Sequence, residues 1–222
     1  DILNDNWCNG TDKLDQIKIP FNENQSFQWI NDQFLIGSSI HTDKPFCNFI
    51  NGNPFVGNFL YGEYGISKKC NVLFFASRNI EEAVIPEKIS IINDFAFQNC
   101  QKLISLKFND QCLEVIKREA FSGCNCLKKE IIFPPSLHKI SYGAFRNCTS
   151  LTTLTFHSKK IIFEPYCFAN CTNLNIVKII NALKITIKQF AFDIDNCPTI
   201  YVKKNACVEG NEYVEGHICK ND

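Results

Sequence analysis

The stretch Ala144-Phe145-Arg146-Asn147-Cys148-Thr149-Ser150-Leu151-Thr152-Thr153-Leu154-Thr155-Phe156 decides how this chain is read. Three residues after the Ala-Phe pair stands a cysteine, and three residues after that a leucine opens a short run with apolar residues at its first, fourth and sixth positions. The same block recurs. Its Phe returns as Phe97, Phe121, Phe145, Phe168 and Phe192, at spacings of 24, 24, 23 and 24 residues. The cysteine returns as Cys100, Cys124, Cys148 and Cys171, and in the last block two extra residues push it to Cys197. The run returns as Leu103-Ile104-Ser105-Leu106-Lys107-Phe108 and Leu174-Asn175-Ile176-Val177-Lys178-Ile179. A second aliphatic pair follows the strand, Leu113 with Ile116 and Leu137 with Ile140.

A unit of this size cannot close its own core, whereas stacked units bury a continuous one. Leu103, Leu127, Leu151 and Leu174 form one expected internal ladder, the block Phe residues a second and the cysteines a third. The fold class that follows is a repeat solenoid, α/β to mainly β, with short parallel strands. Upstream, Ile80, Ala83, Ile85, Pro86, Ile89 and Ile92 reproduce the strand and its following aliphatics, so a repeat begins near residue 80. Leu14 to Pro20 fits the same template. Residues 35–72 keep no period, and Phe46 to Tyr64 is rich in Phe, Gly and Asn, the composition of a looped insertion or cap. The organisation expected is a cap or degenerate region over 1–72, repeats of about 24 residues over 73–202 and a C-terminal cap or tail over 203–222.

Composition narrows the function. The 23 basic and 23 acidic residues cancel, so no global charge draws the chain to nucleic acid or to an anionic membrane. No apolar stretch approaches the roughly 20 residues a spanning helix needs. The chain starts at Asp1 and has no Met, which implies processing or trimming and leaves room for a leader or further domain outside it. Thirteen cysteines without zinc spacing point toward an oxidising compartment, and an odd number leaves at least one thiol unpaired.

The repeat cysteines line one internal column, where a small apolar side chain fits, which argues for packing over metal or redox chemistry. Cys167, standing where other blocks carry Ala, reads the same way. Cys124-Asn125-Cys126 has no second half of a metal site, and His41, His138, His157 and His217 fall at different phases of the repeat. The spacings Gly52 to Gly57 and Gly62 to Gly65 lack the Gly-Lys-Ser/Thr ending of a phosphate loop. No nucleophile stands beside an oriented base, so no catalytic residue, metal or cofactor is expected. Cys207 and Cys219 are close enough in sequence to staple a C-terminal cap, and two of Cys8, Cys47 and Cys70 could do so at the N-terminus. Four glycosylation sequons begin at Asn9, Asn24, Asn147 and Asn170, the last two carried by the repeat itself.

The pattern Ile-x-x-x-Ala-Phe-x-x-Cys-x-x-Leu-x-x-Leu-x-Phe, with Pro134-Pro135-Ser136-Leu137 in one block, resembles the BspA-like class of leucine-rich repeats. The segment Phe74 to Pro86 is especially similar to the protist surface-antigen members. The resemblance implies a horseshoe or right-handed coil with its strands on the concave face. It also implies a protein displayed or secreted at the cell boundary and engaged in adhesion to host cells or matrix. An intracellular scaffold organising other proteins is the alternative.

In such a strand positions one, four and six point inward, and positions two, three and five face a partner. The outward columns are Ile104, Lys128, Thr152 and Asn175, then Ser105, Lys129, Thr153 and Ile176, and then Lys107, Ile131, Thr155 and Lys178. They form a Lys and Thr patch with exposed isoleucines, fit to dock a protein or an acidic glycan. Glu130 breaks the frame by falling where Leu106 and Leu154 sit, and a bulge there would turn Ile131 inward.

Overall fold

The computed structural model describes residues 16–17, 39–40, 64–66, 72–76, 80–108, 112–127, 129–193, 195–210 and 215–221. These residues form a solenoid of strands and turns. Each repeat crosses one sheet, turns, crosses a second sheet and returns through the Ala-Phe turn to the next coil.

The first sheet, here the repeat sheet, holds the Leu-opened runs. Among the described residues its strands form two ladders, one of β5 (Glu82–Ile85) and β7 (Ser105–Phe108), the other of β9 (Lys129–Phe133), β11 (Leu151–Phe156), β13 (Ile176–Ile179), β15 (Thr199–Lys203) and β17 (Ile218–Asn221). The second, long sheet is β3 (Tyr64–Ile66), β4 (Val72–Ala76), β6 (Ile91–Ile92), β8 (Val115–Ile116), β10 (Lys139–Ile140), β12 (Lys160–Phe163), β14 (Lys184–Ile187) and β16 (Cys207–Glu209). Its pairings are parallel except that β3 runs antiparallel to β4, so a hairpin closes the upstream end of the sheet. Upstream, β1 (Gln16–Ile17) pairs in parallel with β2 (Ser39–Ile40). Downstream, the irregular fifth block still forms β15 in register with β13, and β16 and β17 carry both sheets past residue 202.

The ladders expected from the sequence form the core. Leu103, Leu127, Leu151 and Leu174 are buried, as are Leu106, Leu154 and Val177 one step along their strands. The block Phe rings stack from coil to coil, with centroids 4.6 Å apart for Phe97 and Phe121, 4.9 Å for Phe121 and Phe145, 5.3 Å for Phe145 and Phe168 and 5.4 Å for Phe168 and Phe192. A second column, Phe108, Phe133 and Phe156, ends the repeat strands, and Phe133 meets Phe145 edge-on at 5.9 Å. Offset and edge contacts of this kind add about 0.5–1.5 kcal/mol per pair beyond area burial.

The cysteine column packs, as expected, and it also bonds. The Sγ of Cys124, Cys148 and Cys171 each donates at 3.1 Å to the carbonyl of the block Phe in the preceding coil, Phe97, Phe121 and Phe145 respectively. Burial, then the adjoining Cys171 and Cys124 thiols, push the Cys148 thiol well above its ordinary value, so it stays protonated and able to donate.

The Ala-Phe turns close the third side of each coil. Two residues before the block Phe the backbone is left-handed at Phe95, Glu119, Gly143, Tyr166 and Phe190, and two residues after it at Asn99, Gly123, Asn147 and Asn170. This places alternate N–H groups against the next coil, as in Phe97 N–H to Ala120 O at 2.6 Å and Phe121 N–H to Ala144 O at 2.7 Å. Gly123 has φ +77°, a conformation that glycine adopts without strain and that the equivalent Asn residues also take, and a Cβ there would force Asn99 Oδ1 to shift.

Candidate interaction surface

The register of the repeat sheet shows which side chains share its outer face. One row runs Glu82 to Ser105, and then Glu130, Thr153, Ile176 and Thr199. The other runs Val84 to Lys107, and then Ile132, Thr155, Lys178, Tyr201 and Cys219. Ser105, Lys107, Thr153, Ile176 and Lys178 lie in these rows.

Strand β9 does not follow the regular frame, and two expectations are corrected there. Four steps separate Leu127 from Ile131, against three from Leu103 to Leu106, and the register shifts between Leu151 and Thr153. Ile131 consequently pairs beside Leu154 and is buried, 1% exposed, while Ile132 takes the outward position at 55% exposure. The following turn, with Pro134-Pro135, is one residue shorter, so the 24-residue spacing of Phe121 and Phe145 survives. The frame error is local because the apolar set has to return to the inner face.

Thr155, expected at the surface, is only 5% exposed. Its Oγ1 donates to Glu130 Oε1 at 2.5 Å, and Lys178 Nζ lies 3.6 Å from the same oxygen. Glu130 thus reaches across two strands as a local brace. The side chain of Lys129 lies outside the described residues.

Beside this brace, between β7 and β9, opens a groove of about 790 Å³. Leu106, Lys107 and Phe108 line one bank and Glu130, Ile132 and Phe133 the other. Pro134, Pro135, His157 and Asn181 close its end.

The remaining sequence candidates lie elsewhere. Asn147 and Asn170 stand on neighbouring coils, where Asn170 Nδ2 donates to Asn147 Oδ1 at 2.9 Å. Asn9 and Asn24 lie outside the described residues, as do Cys8, Cys47 and Cys70. Cys207 is on β16 of the long sheet and Cys219 on β17 of the repeat sheet, and both are exposed free thiols, so the expected staple between them is not formed. On the long sheet Glu164 lies 3.3 Å from Lys139 Nζ and 3.2 Å from Lys188 Nζ. Partial burial raises its carboxyl, but the two ammonium groups outweigh that and hold it below the usual range. Among the described residues no three His, Cys, Asp or Glu side chains converge as metal ligands, and no helix is long and apolar enough to cross a membrane.

The pattern of the BspA type leucine-rich repeat region matches in six copies, over residues 68–129 and 111–211. The chain belongs to this family. Among solved structures, this BspA-type chain is similar to a leucine-rich repeat protein from Eubacterium ventriosum, at 19% identity and a TM-score of 0.63, covering 94% of this chain and 66% of that one. It is also similar to a leucine-rich cell surface protein from Faecalibacterium prausnitzii, at 20% identity and a TM-score of 0.62, covering 93% and 51%. The pneumococcal vaccine antigen PcpA matches at 16% identity and a TM-score of 0.51, covering 82% and 48%. At these identities the likeness is one of fold, and the chain spans about half to two thirds of each neighbour's length. No curated protein matches the chain.

Proposed function

We propose that the chain is a non-catalytic, extracellular recognition module that binds a protein or glycan partner through the outer face of the repeat sheet, in adhesion to host cells or matrix. The observation that carries this reading is the pair of outward rows ending in the groove between β7 and β9. Polar, cationic and apolar side chains alternate there without a catalytic constellation. The parallel ladders on either side of the β7–β9 interruption present such a face on a rigid scaffold, so binding it costs little ordering. The name of the Faecalibacterium neighbour, a cell surface protein, agrees with a boundary location.

The test replaces Lys107, Lys129 and Lys178 with Glu together. Loss of binding to cells or matrix with an unchanged unfolding temperature is expected, and unchanged binding would overturn the docking face. A second reading, an intracellular scaffold, is favoured by the free thiols of Cys126, Cys148, Cys167, Cys171, Cys197, Cys207 and Cys219. Attached glycan at Asn147 or Asn170 in material from the source cell would decide for the first reading.

A further inference from the structure

We infer that the outer face of the long sheet binds a linear polysaccharide bearing sulfate or carboxylate groups, through lysines presented on successive coils. This face is separate from the outer face of the repeat sheet, so binding here stands or falls independently of adhesion through the other.

Strand alternation fixes which side chains of the long sheet point out. Ile116, Ile140, Phe163 and Ile187 are buried, so the positions on either side of them face solvent. One outward row runs Val115, Lys139, Ile162, Thr186 and Glu209 in register. A second, on the longer downstream strands, runs Lys160, Lys184 and Cys207. The third is Lys117, Ser141, Glu164 and Lys188, which the N–H bonds of Ser141 to Ile116 O, Glu164 to Ile140 O and Lys188 to Phe163 O hold in line.

These rows carry five ammonium groups, on Lys117, Lys139, Lys160, Lys184 and Lys188, against the two carboxylates of Glu164 and Glu209. The whole chain is neutral, with 23 basic and 23 acidic residues, so this face holds a local cationic excess. Glu164 lies between Lys139 and Lys188, and Glu209 lies 2.9 Å from Lys184. Lys160 stands beside Lys184 in register, and like charges directly opposite each other disfavour a sheet. Glu209 is committed to Lys184 and feels Lys160 only at longer range. An anion bound over Lys160 and Lys184 relieves their repulsion.

The spread of the lysines sets the size of the ligand. Lys117, Lys139, Lys160 and Lys184 belong to the successive coils of β8, β10, β12 and β14, and neighbouring strands lie about 4.8 Å apart, so the array extends roughly 14 Å along the solenoid. A small anion reaches one or two of these groups, whereas a linear polyanion meets all of them and releases its counterions. Ser141 and Thr186 stand among the lysines, and their hydroxyls suit a polymer whose anionic groups alternate with hydroxyls. Among the described residues the three rows hold no aromatic ring on which a base could stack, which disfavours single-stranded nucleic acid. None of the exposed large apolar residues lies in them, so the face has nothing to insert into a lipid interface.

The experiment titrates the full chain with a heparin decasaccharide across a salt series, beside poly-glutamate and phosphatidylserine vesicles. The expected result is decasaccharide binding that weakens steadily as salt rises. It is expected to be at least ~10-fold weaker in a Lys160→Gln, Lys184→Gln chain, the scale of two cations lost from an anionic contact. A charge-matched Lys107→Gln, Lys178→Gln chain, altered on the repeat sheet, should bind as the parent does. Lys160 and Lys184 are exposed, so their replacement is expected to leave the unfolding temperature no lower than the parent's. On the parent chain, bound decasaccharide should shield Lys160 and Lys184 from acetylation and leave Lys107 and Lys178 reactive. Absence of binding, or equal weakening in the two double variants, would overturn the site. Binding of poly-glutamate or vesicles as tight as that of the decasaccharide would overturn its assignment to a glycan. Cell binding lost in the triple Lys variant of the repeat sheet, with decasaccharide binding intact, supports two separate surfaces.

Discussion

Single residues in this chain are held by their neighbours one coil away, and substitutions should report on that spacing. Phe145 stacks on Phe121 and Phe168 and meets Phe133 edge-on. Phe145→Ala is expected to lower stability by about 3–5 kcal/mol in denaturant unfolding, the range for emptying a buried aromatic site. Cys148 is a subtler case, because its thiol donates to Phe121 O while that carbonyl also accepts from the Cys124 N–H. Cys148→Ala leaves no orphan acceptor and should cost only about 0.5–1.5 kcal/mol, apart from lost packing, and Cys148→Ser should recover part of it. Gly123→Ala meets both a left-handed backbone and Asn99, and a loss of about 1–3 kcal/mol is expected in the same measurement.

At the scale of the element, β9 and the long-sheet strands make separate demands. Deleting Glu130 restores the three-residue spacing between Leu127 and Ile131 but lengthens no turn, so the following Leu137 and Phe145 fall one step short. The expected outcome is a destabilised chain, read by thermal unfolding, rather than a repaired repeat; a more stable deletion variant would show that the extra residue is mere irregularity. On the long sheet, Glu164 joins β10 to the turn after β14 through Lys139 and Lys188. Its carboxyl is held below the ordinary 4.5, so its contribution is complete above that value and is lost as pH falls through the lower folded value. The parent should therefore lose stability relative to Glu164→Gln as pH drops below about 4.5, measured by denaturant midpoints across the range.

For the whole molecule, the solenoid sorts its thiols by position in the coil. Native alkylation followed by peptide mapping should label Cys207 and Cys219 first, since they are exposed. Half-buried Cys197 should lag, because burial pushes its thiol up to about 11 and leaves little thiolate near neutral pH. Cys100, Cys124, Cys148, Cys167 and Cys171 should react only on unfolding. Rapid native labelling of Cys148 would contradict the buried column.

The 24-residue recurrence of Phe, Cys and Leu was enough to specify the solenoid and its three internal ladders. The reason is physical: a unit that cannot bury its own apolar face has only its copies to bury it against. Glu130, which cannot occupy a leucine's buried site, marked the break in the frame, yet the regular frame still put Ile131 outward. Other features had no signal along the chain. Thiol donation to Phe carbonyls, the bracing of Thr155 by Glu130 and the assignment of Cys207 and Cys219 to different sheets depend on which atoms neighbouring coils bring together. The lack of a ladder between β7 and β9 among the described residues belongs with them. A one-residue insertion can be counted in the sequence, but only the stacked structure decides which of the two flanking ladders it breaks.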